Sequence, residues 1–223
     1  VMGAEQGGGG WRWMRLFWGL AGLLVISGVL FPPLRAGSTG EESPEDISEE
    51  IEDTVEEDTV EVESEIPEDW QPLEHRELGF QVNFPPGQLR ESIEPVETSL
   101  GTLEMYILGL ERDDKVYGVI VADFPDFFEV IPRETRFDGA IAGVLTNIRQ
   151  RLVQDRQVAL SGYPGRILLY EGQDGLIYQH HVYWVGTRLY QTIAAVPAQF
   201  PERRRAEFFE SARPFFRSFL LTD

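Results

Sequence analysis

Between Glu41 and Asp69 the chain carries 16 acidic residues and no basic one, and this tract limits what the rest can fold into. Like charges at this density, with no aromatic residue from Gly37 to Asp69 and with Pro44 and Pro67 among them, cannot bury enough apolar surface to offset the entropy of ordering. The stretch reads as a disordered acidic linker, placed at residues 35–76, with a coil dimension of about 30 Å. A second reading takes Ile47, Ile51, Val55, Val62 and Ile66 as apolar contacts of a segment that orders on a basic partner. A core must then come from the roughly 150 residues that follow, enough for one domain at residues 77–223.

The tract also accounts for most of the formal charge of −19. From Trp70 to Asp223 there are 21 acidic and 16 basic residues. Such a balance gives no basic face for phosphates, which argues against nucleic acid and against lying flat on anionic lipid. The chain has no cysteine, which removes disulfides, thiolate metal sites, a cysteine nucleophile and a lipid-modified cysteine.

Before the linker, Leu16 to Phe31 is uncharged and follows Arg12 and Arg15. At about 1.5 Å per residue this run reaches roughly 24 Å, short of a ~30 Å hydrocarbon core. Trp11, Trp13 and Trp18 sit where an interfacial aromatic belt would lie, and Pro32 and Pro33 end the helix on the other side. These flanks favour a retained single-pass transmembrane anchor at residues 16–34 over a cleaved signal peptide, for which Ala36-Gly37-Ser38 is a poor cleavage site. The positive-inside bias then puts residues 1–15 in the cytoplasm and the domain in the periplasm or lumen.

Within the domain the hydrophobic period is two. Leu78, Phe80, Val82 and Phe84 alternate with polar residues, and Thr102–Leu110 and Val116–Phe124 form a hairpin that bends at Asp113-Asp114. Phe137, Ile141, Val144, Leu145, Ile148 and Leu152 recur at helical spacing after the candidate caps Thr135 and Asp138. Arg166–Glu171, Leu176–Val185 and Arg188–Val196 then read as an antiparallel meander. Pro201 opens a closing helix with Phe208 and Ala212 inward, and Phe215, Phe216 and Phe219 act as buried anchors. The expected class is α+β, an antiparallel sheet covered by helices.

Three short runs carry a resemblance: Gly162-Tyr163-Pro164-Gly165-Arg166, the stretch Tyr183-Trp184-Val185-Gly186-Thr187-Arg188-Leu189-Tyr190-Gln191, and Phe215-Phe216-Arg217-Ser218-Phe219. Together with Phe80 to Pro85 they make residues 77–223 resemble bacterial relatives of PsbP, the extrinsic photosystem II protein. The motifs are turns and core positions. The resemblance implies an α/β/α sandwich on the outer side of an energy-transducing membrane that stabilises or helps assemble a larger complex without catalysis. This chain departs from the pattern by its anchor and acidic arm.

Residues able to carry chemistry are few. His180 and His181 are weak metal candidates, because neighbours in a strand point to opposite faces. His75 falls in the linker. Asp123, Asp126 and Glu129 approach one another after the third strand but read as loop acids. No metalloprotease histidine pair, phosphate loop or nucleophile elbow is present. The expectation is a protein that is not an enzyme and needs no cofactor.

Two features suit partner binding. Phe124, Phe127 and Phe128 form an aromatic cluster that serves either as core or as a docking anchor. Arg203, Arg204 and Arg205 place positive charge in the first turn of the last helix, against its dipole, as a basic patch for an acidic partner or for the arm would. The function expected is a membrane-anchored accessory subunit that binds subunits of a membrane protein complex, photosynthetic or electron-transporting. The alternative is a periplasmic carrier or sensor with a lipid or pigment in an aromatic pocket.

Overall fold

The computed structural model describes residues 66–98, 101–146 and 152–222. The predicted anchor and most of the acidic linker lie outside them. Among the described residues no helix is long and apolar enough to cross a membrane.

The chain enters through β1 (Gln71–His75) and β2 (Phe80–Phe84), then β3 (Arg90–Thr98), β4 (Gly101–Arg112) and β5 (Lys115–Asp123). A 3-10 turn (Asp126–Val130) leads into α1 (Arg133–Thr146). The strands β6 (Gln154–Leu160), β7 (Tyr163–Glu171), β8 (Leu176–Val185) and β9 (Arg188–Pro197) follow. The helices α2 (Glu202–Ser211) and α3 (Arg213–Arg217) and a short β10 (Leu220–Leu221) close the chain. Seven strands make one sheet in the order β3-β4-β5-β9-β8-β7-β6, and β1-β2-β10 make a second. All the pairings are antiparallel.

The expected α+β class is what the chain adopts, with one correction to the layers. On one face of the large sheet, Phe137, Ala140, Ile141 and Val144 of α1 join Met105, Ile120, Trp184 and Ile193 in a single core. On the other face, helices share the work with the small sheet. There Phe80, Val82 and Phe84 of β2 join Phe208, Ala212, Phe215 and Phe219 over Leu108, Val119 and Val196. Each such large apolar side chain contributes about 1.5–3 kcal/mol on burial. The C-terminal turn is tied to β2 by Ser218, whose hydroxyl accepts from the Asn83 N–H at 2.8 Å and donates to the Phe215 carbonyl at 3.0 Å.

Three strands escape the sequence reading. β1 takes five residues expected in the linker and brings His75 into the fold, stacked on Phe80 with centroids 5.7 Å apart. β3 and β6 are the edges of the large sheet, each paired on one side. Side chains there alternate weakly between core and solvent, so the period of two is diluted by charge, and Pro95 sits in β3 where an edge tolerates it. The hairpin bends at Asp113 and Asp114, with φ of 52° and 63°, as a two-residue loop between twisted strands requires. It starts at Gly101, one residue before the predicted Thr102, and ends at Asp123, one residue short of the predicted Phe124.

Gly165 in β7 meets the tightest approach in the sheet. A Cβ there would lie 2.3 Å from Cδ1 of the Tyr183 ring and 2.8 Å from the Val182 carbonyl oxygen. Backbone cannot yield as a flexible side chain does, so Gly165→Ala is expected to cost about 1–3 kcal/mol through overpacking. Urea unfolding of the two chains side by side checks this, and an unchanged midpoint would be incompatible with the packing described.

Candidate functional site

His180 and His181 lie in β8, whose neighbours β7 and β9 cover both its edges. His180 is fully buried on the α1 side. Its Nε2–H donates to Gln191 Oε1 at 2.9 Å, so its Nδ1 accepts from the Tyr170 hydroxyl at 3.2 Å. Tyr170 in turn stacks on Tyr178, whose hydroxyl donates to the Asp174 carboxylate at the rim. His181 points to the other side and stacks on Phe216 with centroids 4.0 Å apart. Gln179 Nε2 donates to its Nε2 at 2.9 Å, and its Nδ1–H donates to the Tyr183 hydroxyl at 3.2 Å. Both rings therefore have their nitrogens occupied, each among aromatics rather than carboxylates. Among the described residues no three His, Cys, Asp or Glu side chains gather as a metal site requires.

The aromatic loop divides its three phenylalanines. Phe124 and Phe128 are buried with ring centroids 4.6 Å apart, and both pack on Trp184, at 4.9 and 5.4 Å. Phe127 faces the other way and is 53% exposed, and Val130, which the sequence reading did not single out, is 84% exposed. The reason is helical period. In a 3-10 turn, residues three apart eclipse, so Phe127 and Val130 form one ridge and Asp126 and Glu129 form another. That spacing was readable in the sequence, but the choice of a 3-10 turn over an α-helix was not.

Backbone bonds hold the turn in place. Phe124 N–H donates to the Thr187 carbonyl at 3.0 Å, and Phe128 N–H donates to the Pro125 carbonyl at 2.8 Å. A cleft of about 390 Å³ runs beside it, bordered by Asp123, Asp126, Glu129, Gly186, Thr187 and Arg188. The three loop acids thus do converge. Asp123 is held by Arg188 in a two-pronged ion pair, with distances of 2.5 and 2.7 Å.

The three arginines of α2 are engaged within the chain. Arg203 pairs with Glu207 one turn on at 2.7 Å, Arg204 lies 3.6 Å above the Phe200 ring, and Arg205 donates to the Ala198 carbonyl at 2.8 Å. The Arg203 side chain is nonetheless 91% exposed, so its charge still reaches solvent. Trp11, Trp13 and Trp18 lie outside the described residues.

A second cleft, about 640 Å³, marks where the chain enters the domain. Pro67, Trp70, Pro85, Pro86, Tyr117 and Pro214 line it together with charged residues that include Arg112, Lys115 and Glu210. Burial pushes the Tyr117 hydroxyl up to about 12. Lys115 begins β5 at this cleft and Asp123 ends the same strand at the aromatic loop. At about 3.3 Å per residue the two sites stand roughly 26 Å apart, at opposite ends of the sheet.

Burial holds the neutral form of both histidines. It pulls His180 down to about 4, partly offset by the Gln191 hydrogen bond, and pulls His181 down to about 3, aided by His180 and Arg156. Unfolded, both would titrate near 6.5. Between those values the unfolded chain binds more protons, so the contribution to stability is fully present above pH 6.5 and is lost as pH falls towards 4 and then 3. Within that window each histidine is expected to cost roughly 1 kcal/mol per pH unit. Urea midpoints taken from pH 7.5 down to pH 5 should fall steeply, and His181→Gln should flatten the slope.

No family model matches the chain, and no curated relative does. Among solved structures, cyanobacterial PsbP (CyanoP) from Synechocystis sp. PCC 6803 is similar over 69% of this chain and 92% of that one, at 15% identity and a TM-score of 0.47. A protein of unknown function from Pseudomonas aeruginosa, PA94, is similar over 65% of this chain and 94% of that one, at 12% identity and a TM-score of 0.36.

Proposed function

We propose that this chain is a non-catalytic accessory subunit, tethered to a membrane by its N-terminal apolar segment, whose extracytoplasmic domain binds and stabilises a membrane protein complex. The observation that carries this reading is the opposition of two ends. The acidic arm joins the domain at the cleft bearing Pro67 and Lys115, and the exposed pair Phe127 and Val130 stands at the far end of β5. A spacer that clears a neighbouring subunit and a domain that offers an apolar contact beyond it suit a subunit working on its neighbours. His180 and His181, which burial holds in the neutral form, are locked inside the sheet away from the surface. The resemblance in the sequence points to a photosynthetic or electron-transport assembly as the first complex to examine.

The test is migration of the full-length chain in a native gel after extraction of its own membranes with mild detergent. The chain is expected in an assembly much larger than itself, together with integral membrane subunits. Migration alone, at native abundance and in every mild detergent tried, would overturn the reading.

A further inference from the structure

We infer that the turn Asp126–Val130 is the docking edge of the domain, and that its occupant is a protein surface with an apolar depression rimmed by arginine or lysine. This rests on the accessory role proposed above and specifies the partner's side of it. The turn presents two parallel ridges, Phe127 with Val130 and Asp126 with Glu129. Its aromatic base of Phe124, Phe128 and Trp184 fixes it, so binding orders little that is not already ordered.

Charge selects the occupant. From Asp123 to Pro132 the chain has three acids and no base. Asp123 is already neutralised by Arg188, and among the described residues Asp126 and Glu129 have no ion-pair partner. Both line the 390 Å³ cleft, which has room for one long basic side chain between them and the β8–β9 turn. A partner arginine or lysine entering there lets Phe127 and Val130 sit in the depression beside it.

The other occupants meet repulsion. An anionic lipid surface repels Asp126 and Glu129, and the turn also lies at the end of the domain away from the tether. The chain's own arm is acidic throughout. A second copy docked turn to turn would set these carboxylates against their equals.

A photo-cross-linking benzophenone amino acid in place of Phe127, in the full-length chain in its native membranes, tests this. The adduct is expected on a water-exposed segment of another protein with more Lys and Arg than Asp and Glu. Its yield should drop about tenfold in Asp126→Lys/Glu129→Lys and in high salt. The same probe at Ile93, exposed on the β3 edge, should give little. The inference is overturned by adducts on lipid, on a second copy or on an acidic segment, by a yield indifferent to charge reversal, or by no excess over Ile93. A chain that still migrates with its complex while the Phe127 probe stays empty would refute this docking edge and leave the accessory role standing. A chain that migrates alone would refute the accessory role itself.

Discussion

The structure depends on burial of both faces of β9. From Leu189 to Pro197 every residue is buried, with alternate side chains entering the two cores and hydrogen-bonded neighbours on both edges. A strand so enclosed keeps its polar side chains from water, so Gln191 Oε1 accepts from His180, while His181, the next residue of β8, points to the opposite face and finds its partners there. The same enclosure demands two covers. One face takes α1, and the other needs both a small sheet and the α2–α3 pair, because the aromatic side chains of β2 and α3 must interlock, as Phe84 does with Phe215 at 5.2 Å.

That demand explains what could be read from the sequence. Central strands sit between two partners, so Val116–Ala122 shows itself by a continuous apolar run and Leu189–Val196 by one that only Gln191 and Thr192 interrupt, and the helix stripe of Phe137, Ile141 and Val144 follows from its period. Edge strands have one partner and one wet side, and β3 and β6 were accordingly invisible. β1 was hidden for a further reason. Its five residues include Pro72 and Glu74, and they become a strand only because β2 lies alongside in register from Gln71 opposite Phe84 to His75 opposite Phe80.

The site was legible in part for the same reason. Alternation alone separates His180 from His181, and the structure places them on the two faces. Phe124 precedes the turn, and the fates of Phe127 and Phe128 within it were not readable, because they turn on helical register. An α-helical turn would have distributed Phe124, Phe127 and Phe128 over a single face, whereas the 3-10 turn sends Phe128 down onto Trp184 and Phe127 out.

The strain of placing Phe127 and Val130 in water has a local compensation. Exposing the two side chains forfeits a few kcal/mol of burial, yet the segment that exposes them also closes the core over Trp184 with the buried rings of Phe124 and Phe128. Removal of the ridge by mutation therefore need not disturb the core beneath it, and a contact made there can vary in strength without the fold paying for it. On the tethered reading proposed above, the arm would raise the local concentration of domain at its target and let a modest contact suffice. An acidic flank adds direction to that contact and sets its dependence on salt, while the apolar ridge supplies the part that salt leaves untouched.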